Sequence, residues 1–212
     1  EVQVIGATAS GKSSLVGLLP RFYDITAGSL TIFGKEARTY DPAALRPRVG
    51  IVMQNTTLFR GTIADNLRMG REKISEERLW EAITAAQAAQ VVSDKGGLSA
   101  IVEQGGRNFS GGQRQRLCSA RALLTRPDIL ILDDSSSALD YATDKALREA
   151  IGELAKKNGN MIVFLVSQRA ASLAGADRIV VLDEGRLAGV GTHEELLADC
   201  GVYQEICRSQ RG

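Results

Sequence analysis

The stretch Glu1-Val2-Gln3-Val4-Ile5-Gly6-Ala7-Thr8-Ala9-Ser10-Gly11-Lys12-Ser13-Ser14 decides how this chain is read. A short apolar strand runs into Gly6 to Ser13, which fits G-x-x-x-x-G-K-[S/T]. Apolar Leu15, Leu18 and Leu19 follow at helical spacing until Pro20 stops them. Between a strand and a helix, such a loop wraps backbone N–H groups around a phosphate chain, and the helix start adds partial positive charge. Gly6, Ala7, Thr8, Ala9, Ser10, Gly11, Lys12, Ser13 and Ser14 are therefore the expected cradle. Lys12 is expected to reach the β and γ oxygens and the Ser13 hydroxyl to ligate Mg²⁺. An ordinary glycine turn is the plainer alternative.

Further along, Ile129-Leu130-Ile131-Leu132-Asp133-Asp134 reads as a buried strand ending in two carboxylates, where Asp133 is placed to hold Mg²⁺; acids that merely cap a turn are the alternative. Val49 to Met53, Met161 to Val166 and Ile179 to Leu182 read as further buried strands, and Ser29 to Gly34 as a half-buried one. Helices are expected from Ser75 to Val92, with Leu79, Ile83 and Ala86 buried and Ser75 as cap. Two more are expected from near Gly111 to Leu124 and from Tyr141 to Lys157. Apolar runs alternating with helices mean parallel strands covered on both faces. The fold expected is α/β, a parallel sheet with a helical insertion at about residues 62–109.

Composition narrows the function classes. With 26 Lys and Arg against 25 Asp and Glu, the formal net charge is +1, too little for a field that would hold a nucleic-acid backbone. The longest apolar runs fall far short of the roughly 18 to 20 residues that cross a bilayer. Cys118, Cys200 and Cys207 show no CxxC spacing and leave an odd thiol, which suits a reducing compartment.

Between the two phosphate-site motifs lies Phe109-Ser110-Gly111-Gly112-Gln113. Here the sequence resembles the ATP-binding cassette family, whose signature is Leu-Ser-Gly-Gly-Gln, and the resemblance implies a P-loop NTPase (RecA-like) sheet. The resemblance implies that Ser110, Gly111, Gly112 and Gln113, at a helix start, contact the γ-phosphate of ATP held by the opposite subunit of a head-to-tail dimer. It also implies that Gln54 contacts Mg²⁺ and the attacking water while coupling to the membrane domains, and that Ser137-Ala138-Leu139-Asp140 crosses the dimer interface. Leu58 to Asn66 and Val102 to Gly106 are similar to stretches of exporter-type cassettes, which implies fused or associated transmembrane domains and a place at the cytoplasmic face of the cell membrane. Relatives acting on DNA or ribosomes are disfavoured by the near-zero charge.

Three departures from that family follow. Asp134 stands where the family has a catalytic Glu, and one methylene less withdraws the carboxylate from water at the γ-phosphate. Gln168, in Ser167-Gln168-Arg169, stands where the family has His; it donates a hydrogen bond but carries no imidazolium charge. The family's adenine-stacking aromatic precedes the phosphate loop, and only five residues precede Gly6, so the first strands and that aromatic are expected to be missing. Phe22 and Tyr23 read as core instead. His193, the one histidine, reads as a surface helix residue beside a Thr192–Glu195 capping box. Two changes in one nucleotide site imply the degenerate half of a heterodimeric exporter whose signature completes a non-identical partner's site. A homodimer hydrolysing slowly, or a regulatory nucleotide-binding module, are the alternatives.

Overall fold

The computed structural model describes residues 1–55, 57–134, 138–159, 161–167 and 175–209. In chain order its elements are β1 (Val2–Gly6), α1 (Lys12–Gly17), β2 (Thr31–Ile32), β3 (Lys35–Glu36), α2 (Pro42–Leu45), β4 (Val49–Val52), β5 (Gly61–Thr62), α3 (Ile63–Arg68), α4 (Glu76–Ala85), α5 (Ala89–Asp94), β6 (Ile101–Val102), α6 (Gly111–Leu123), β7 (Ile129–Asp133), α7 (Tyr141–Asn158), β8 (Ile162–Ser167), β9 (Arg178–Asp183), β10 (Arg186–Gly191), α8 (His193–Asp199) and α9 (Gly201–Ser209). The main sheet runs β10-β9-β1-β8-β7-β4. β1 is parallel to both neighbours, with Val4 opposite Val166 of β8 and Val180 of β9, while β10 folds back antiparallel on β9. All five residues of β7 are buried, which is why its sequence is apolar without alternation. No helix among the described residues is long and apolar enough to cross a membrane.

The described chain divides into two compact units, one of Glu1–Val49, Ile131–Asp134 and Ile162–Gly212, the other of Gly50–Leu130 and Ser135–Met161. In the first, Ile5, Ile179 and Val181 pack with Leu196 and Cys200 and with Tyr203 and Cys207 of α9. The Thr192–Glu195 capping box that starts α8 is formed as expected. His193 is not the surface residue expected: it is half-buried, and its Nδ1 lies 2.7 Å from the hydroxyl of fully buried Tyr203. A buried phenol needs a hydrogen-bond partner, and His193 supplies it.

Phe22 and Tyr23 do not enter the core either, remaining 49% and 47% exposed. The Tyr23 hydroxyl donates to Ser14 O at 2.5 Å, and a Cβ at Gly17 would meet that hydroxyl at 2.6 Å. The ring therefore lies over the outer face of α1, covering a glycine rather than joining the core. α1 is also shorter than expected. Its buried residues are Lys12, Val16 and Gly17, and Leu15 is 40% exposed, because the chain tightens into turns from Leu15 and Val16 to Leu18 and Leu19 before Pro20.

In the second unit, α4 is capped by Ser75, whose side chain accepts from Arg78 N, and buries Leu79 and Ile83. The single helix expected over residues 75–92 breaks after Ala86, where Gln87 takes φ +57°, and restarts as α5. Arg78 crosses to the end of α6, donating to the carbonyls of Leu123 at 2.7 Å and Leu124 at 3.1 Å, acceptors left open by the end of that helix. Gly50 allows β4 a close approach, since a Cβ there would meet Ala122 O at 2.8 Å.

The burial of β7 sets a measurable cost. Ile131, fully buried, should lose about 2 to 5 kcal/mol of stability on truncation to Ala. The measurement is a shift of the urea unfolding midpoint at unchanged slope. A loss under about 1 kcal/mol would contradict the packing described.

Candidate phosphate-binding site

The first unit brings the glycine loop and the end of β7 together. β1 ends at Gly6, where a Cβ would stand 2.2 Å from Leu182 O and 2.5 Å from Ser10 Oγ, so no other residue fits without moving β9. The loop then turns on Ser10 N–H to Ala7 O at 3.2 Å and passes through left-handed backbone at Ala9 (φ +61°) and Gly11 (φ +96°). Gly11 is the residue at the N-terminal end of α1, where Leu15 N–H donates back to its carbonyl at 2.9 Å. Such alternation of backbone conformation turns successive N–H groups toward one side, the concavity that holds anions.

Lys12 is buried beneath this loop. Its Nζ donates to Gly6 O at 2.8 Å, Ala7 O at 2.6 Å and, more weakly, Ser10 Oγ at 3.4 Å. Burial lowers its pKa, and the nearby carboxylates of Asp133 and Asp134 act against that fall. Asp133, 4% exposed at the end of β7, is pushed the other way: burial raises its pKa, the Ser13 hydroxyl donates to it and lowers it, and Asp134 raises it further. Asp134 takes left-handed φ +47°, and its N–H donates to Val166 O at 2.9 Å. These residues fit a magnesium–polyphosphate group. A cradle that a Cβ at Gly6 would fill, a buried ammonium and two hard oxygen donors, Ser13 and Asp133, are the chemistry that ligand needs.

The remaining expected residues fall elsewhere. Gln54, exposed just beyond β4, and the Ser-Gly-Gly-Gln stretch belong to the second unit. Ser110 caps α6 by a closed capping box, its Oγ accepting from Gln113 N at 3.2 Å while Gln113 Oε1 accepts from Ser110 N at 2.9 Å. The amides of Gly111 and Gly112 precede the helix's own bonding pattern, as an anion site at a helix start requires. A Cβ at Gly112 would meet Ala138 O at 2.9 Å, so that glycine permits a close approach of the backbone after β7. Gln168 and Ser137 lie outside the described residues. The sequence reading missed Gly185, whose N–H donates to Ser10 O at 3.2 Å. The signal was Glu184-Gly185 between two apolar runs, a tight-turn pattern.

Gly6→Ala tests the loop directly. Because a main-chain carbonyl at 2.2 Å cannot rotate away, the variant should lose about 3 kcal/mol or more of stability. Calorimetric titration with Mg·ATP should show binding lost. A variant that melts and binds as the parent does would contradict this loop geometry.

The family model described as ABC transporter matches residues 1–137. An uncharacterised ABC transporter ATP-binding protein of Mycobacterium tuberculosis is 44% identical over 210 residues, spanning 98% of this chain and 35% of that protein. The ATP-dependent lipid A-core flippase of Yersinia pestis is 39% identical over 213 residues, spanning 100% of this chain and 36% of that protein. A solved structure of a bacterial Atm1-family ABC exporter with ATP bound superposes at TM-score 0.93 and 33% identity over 100% of this chain and 36% of its own. The chain thus spans about a third of the length of these relatives. A match over residues 1–137, joined to a P-loop NTPase fold shared along the whole chain, means that this protein belongs to the ABC transporter family, in which it corresponds to the exporter-type ATP-binding domain.

Proposed function

We propose that this chain binds Mg·ATP at Gly6–Ser14 and works as one half of an ATP-driven dimer in an exporter, its own site slow and its signature completing the site of a non-identical partner. The observation that carries this reading is the loop over Lys12: a backbone cradle closed to any side chain at Gly6, with the buried ammonium and Asp133 beside it. On this reading residues 1–212 are one nucleotide-binding domain, with the helical insertion at about 62–109 and the signature helix from about 111. ATP-dependent closure of the dimer drives transmembrane domains, fused or associated, from the cytoplasmic face of the membrane.

Each residue then has a stated task. The loop amides would bind and orient the β- and γ-phosphates and Lys12 would neutralise their charge; Ser13 and Asp133 would hold Mg²⁺, as would Gln54 on the family resemblance, and the ion would supply polarisation of the phosphoryl oxygens. Asp134 is the base available to a water at the γ-phosphate and, being short, a poor one. Gln168 donates a hydrogen bond without adding positive charge. A second reading, a nucleotide-gated regulatory clamp with almost no turnover, draws on the same Asp134. Comparing turnover of the chain alone with turnover of the assembled complex separates the two, and two equal slow sites would mark a homodimer.

Asp134→Glu combined with Gln168→His should raise hydrolysis at this chain's site by about 10² to 10⁴, with each single change gaining less because base and stabiliser act as a unit. Site-resolved turnover in the assembled dimer reads this out, and an unchanged rate for the double variant would sink the degenerate-site reading.

Gly111→Asp tests the signature in trans. An acid at the first position of α6 is compatible with the helix itself, yet sets negative charge against a γ-phosphate bound opposite. ATP binding at Gly6–Ser14 should persist while hydrolysis at the partner's site nearly stops. Loss of this chain's own binding with normal partner turnover would show that the signature acts in cis.

A further inference from the structure

β9 and β10 are joined by a two-residue turn, Glu184 and Gly185, between the paired residues Asp183 and Arg186. Both take left-handed backbone, φ +45° and +77°, the conformation that lets a two-residue hairpin follow the twist of its strands. In such a turn the ladder uses the flanking residues, and the N–H of the second central residue is left to point outward. Here it donates to Ser10 O at 3.2 Å. Gly185 Cα also stands 3.7 Å from where a Cβ on Gly11 would be, and Leu182 O closes over Gly6. One hairpin thus touches the phosphate loop at its first glycine and again before its second.

We propose that the β9–β10 turn is a positioning element of the phosphate loop, with Gly185 fixing the peptide between Ser10 and Gly11. A trans peptide is planar with its C=O and N–H opposed, so tying Ser10 O to Gly185 turns the Gly11 N–H the other way, toward the inner side of the loop. Ser10 is buried, 2% exposed, so its carbonyl is turned away from solvent and takes Gly185 as its partner. Without the tie, that peptide can rotate and present a carbonyl to an anion. The left-handed conformation at Glu184, unusual for a residue with a long side chain, is kept because the turn must deliver the Gly185 N–H at this point. The inference rests on reading Gly6–Ser14 as a polyphosphate site. Gly185 touches no reacting atom and acts only through the loop.

The test titrates Mg·ATP and Mg·pyrophosphate into the full chain by calorimetry. Gly185→Val, strained in the turn, should weaken both by about tenfold or more, the scale of one lost charge-assisted contact. Gly185→Asn, which tolerates left-handed backbone, should stay within about threefold of the parent. Gly28→Val carries similar strain at φ +79° with nothing within 4 Å, and should bind as the parent does. If Gly185→Val does not fold, Gly185→Ala takes its place against the same controls. Parental affinity in the Gly185 variant, equal loss in Gly28→Val, or no rescue by Asn overturns the inference. Failure of the unmodified chain to bind either probe overturns the nucleotide reading, and this inference with it.

Discussion

Where β1 leaves the sheet, the backbone of Gly6 passes so close to β9 that a single added carbon would lie 2.2 Å from the carbonyl of Leu182. The contact follows from register. With Gly6 paired to Leu182 in a parallel ladder, the strand must end there and the chain must turn without a side chain. The loop, the burial of Lys12 and the approach of Asp133 all follow from that turn. A larger residue would separate β1 from β9 and open the floor on which Lys12 rests.

The electrostatics of the loop balance two costs. A buried ammonium and a buried carboxylate each lose hydration, and each shift is governed first by that loss. The charges recover part of it from each other and from Ser13 and the carbonyls of Gly6 and Ala7. Those carbonyls are neutral acceptors, and bonds to phosphate oxygens are about twice as strong. On the proposed reading, an arriving polyphosphate outcompetes the loop's own oxygens for Lys12 without any new side chain, which keeps the reorganisation local.

The loop motif, the buried strands and the capped helices were legible because each has a local signature: glycine spacing before Lys12, unbroken apolar runs in β7 and β8, Ser75, Ser110 and Thr192 at helix starts. What was hidden depends on distant packing. Ala86, Gln87 and Ala88 are compatible with helix, yet the chain breaks there with Gln87 left-handed, and no Gly or Pro marks the place. β10 is poor in β-formers because its glycines are packing sites: a Cβ at Gly189 would meet Leu196 Cδ2 at 2.9 Å and Cys200 Sγ at 3.1 Å. Phe22 and Tyr23 looked like core because aromatic residues usually are, but Gly17 gave Tyr23 a place on the outside of α1. The contact from Gly185 to the loop joins residues far apart in sequence, and no local pattern reports it.

The residue at position 134 follows the same logic of backbone before side chain. Its left-handed φ and its N–H bond to Val166 O fix where the Cα sits and leave the reach of the carboxylate to the side chain's length alone. Asp is among the residues that tolerate this conformation, and the shorter arm comes with that tolerance. A rotamer change cannot lengthen that arm, since the anchor point does not move. The capping box of Ser110 and Gln113 is meanwhile closed in the same chain. On the proposed reading, the side chain that limits this chain's own turnover and the helix start that serves the partner sit on separate anchors, so one can lose reach while the other keeps its geometry.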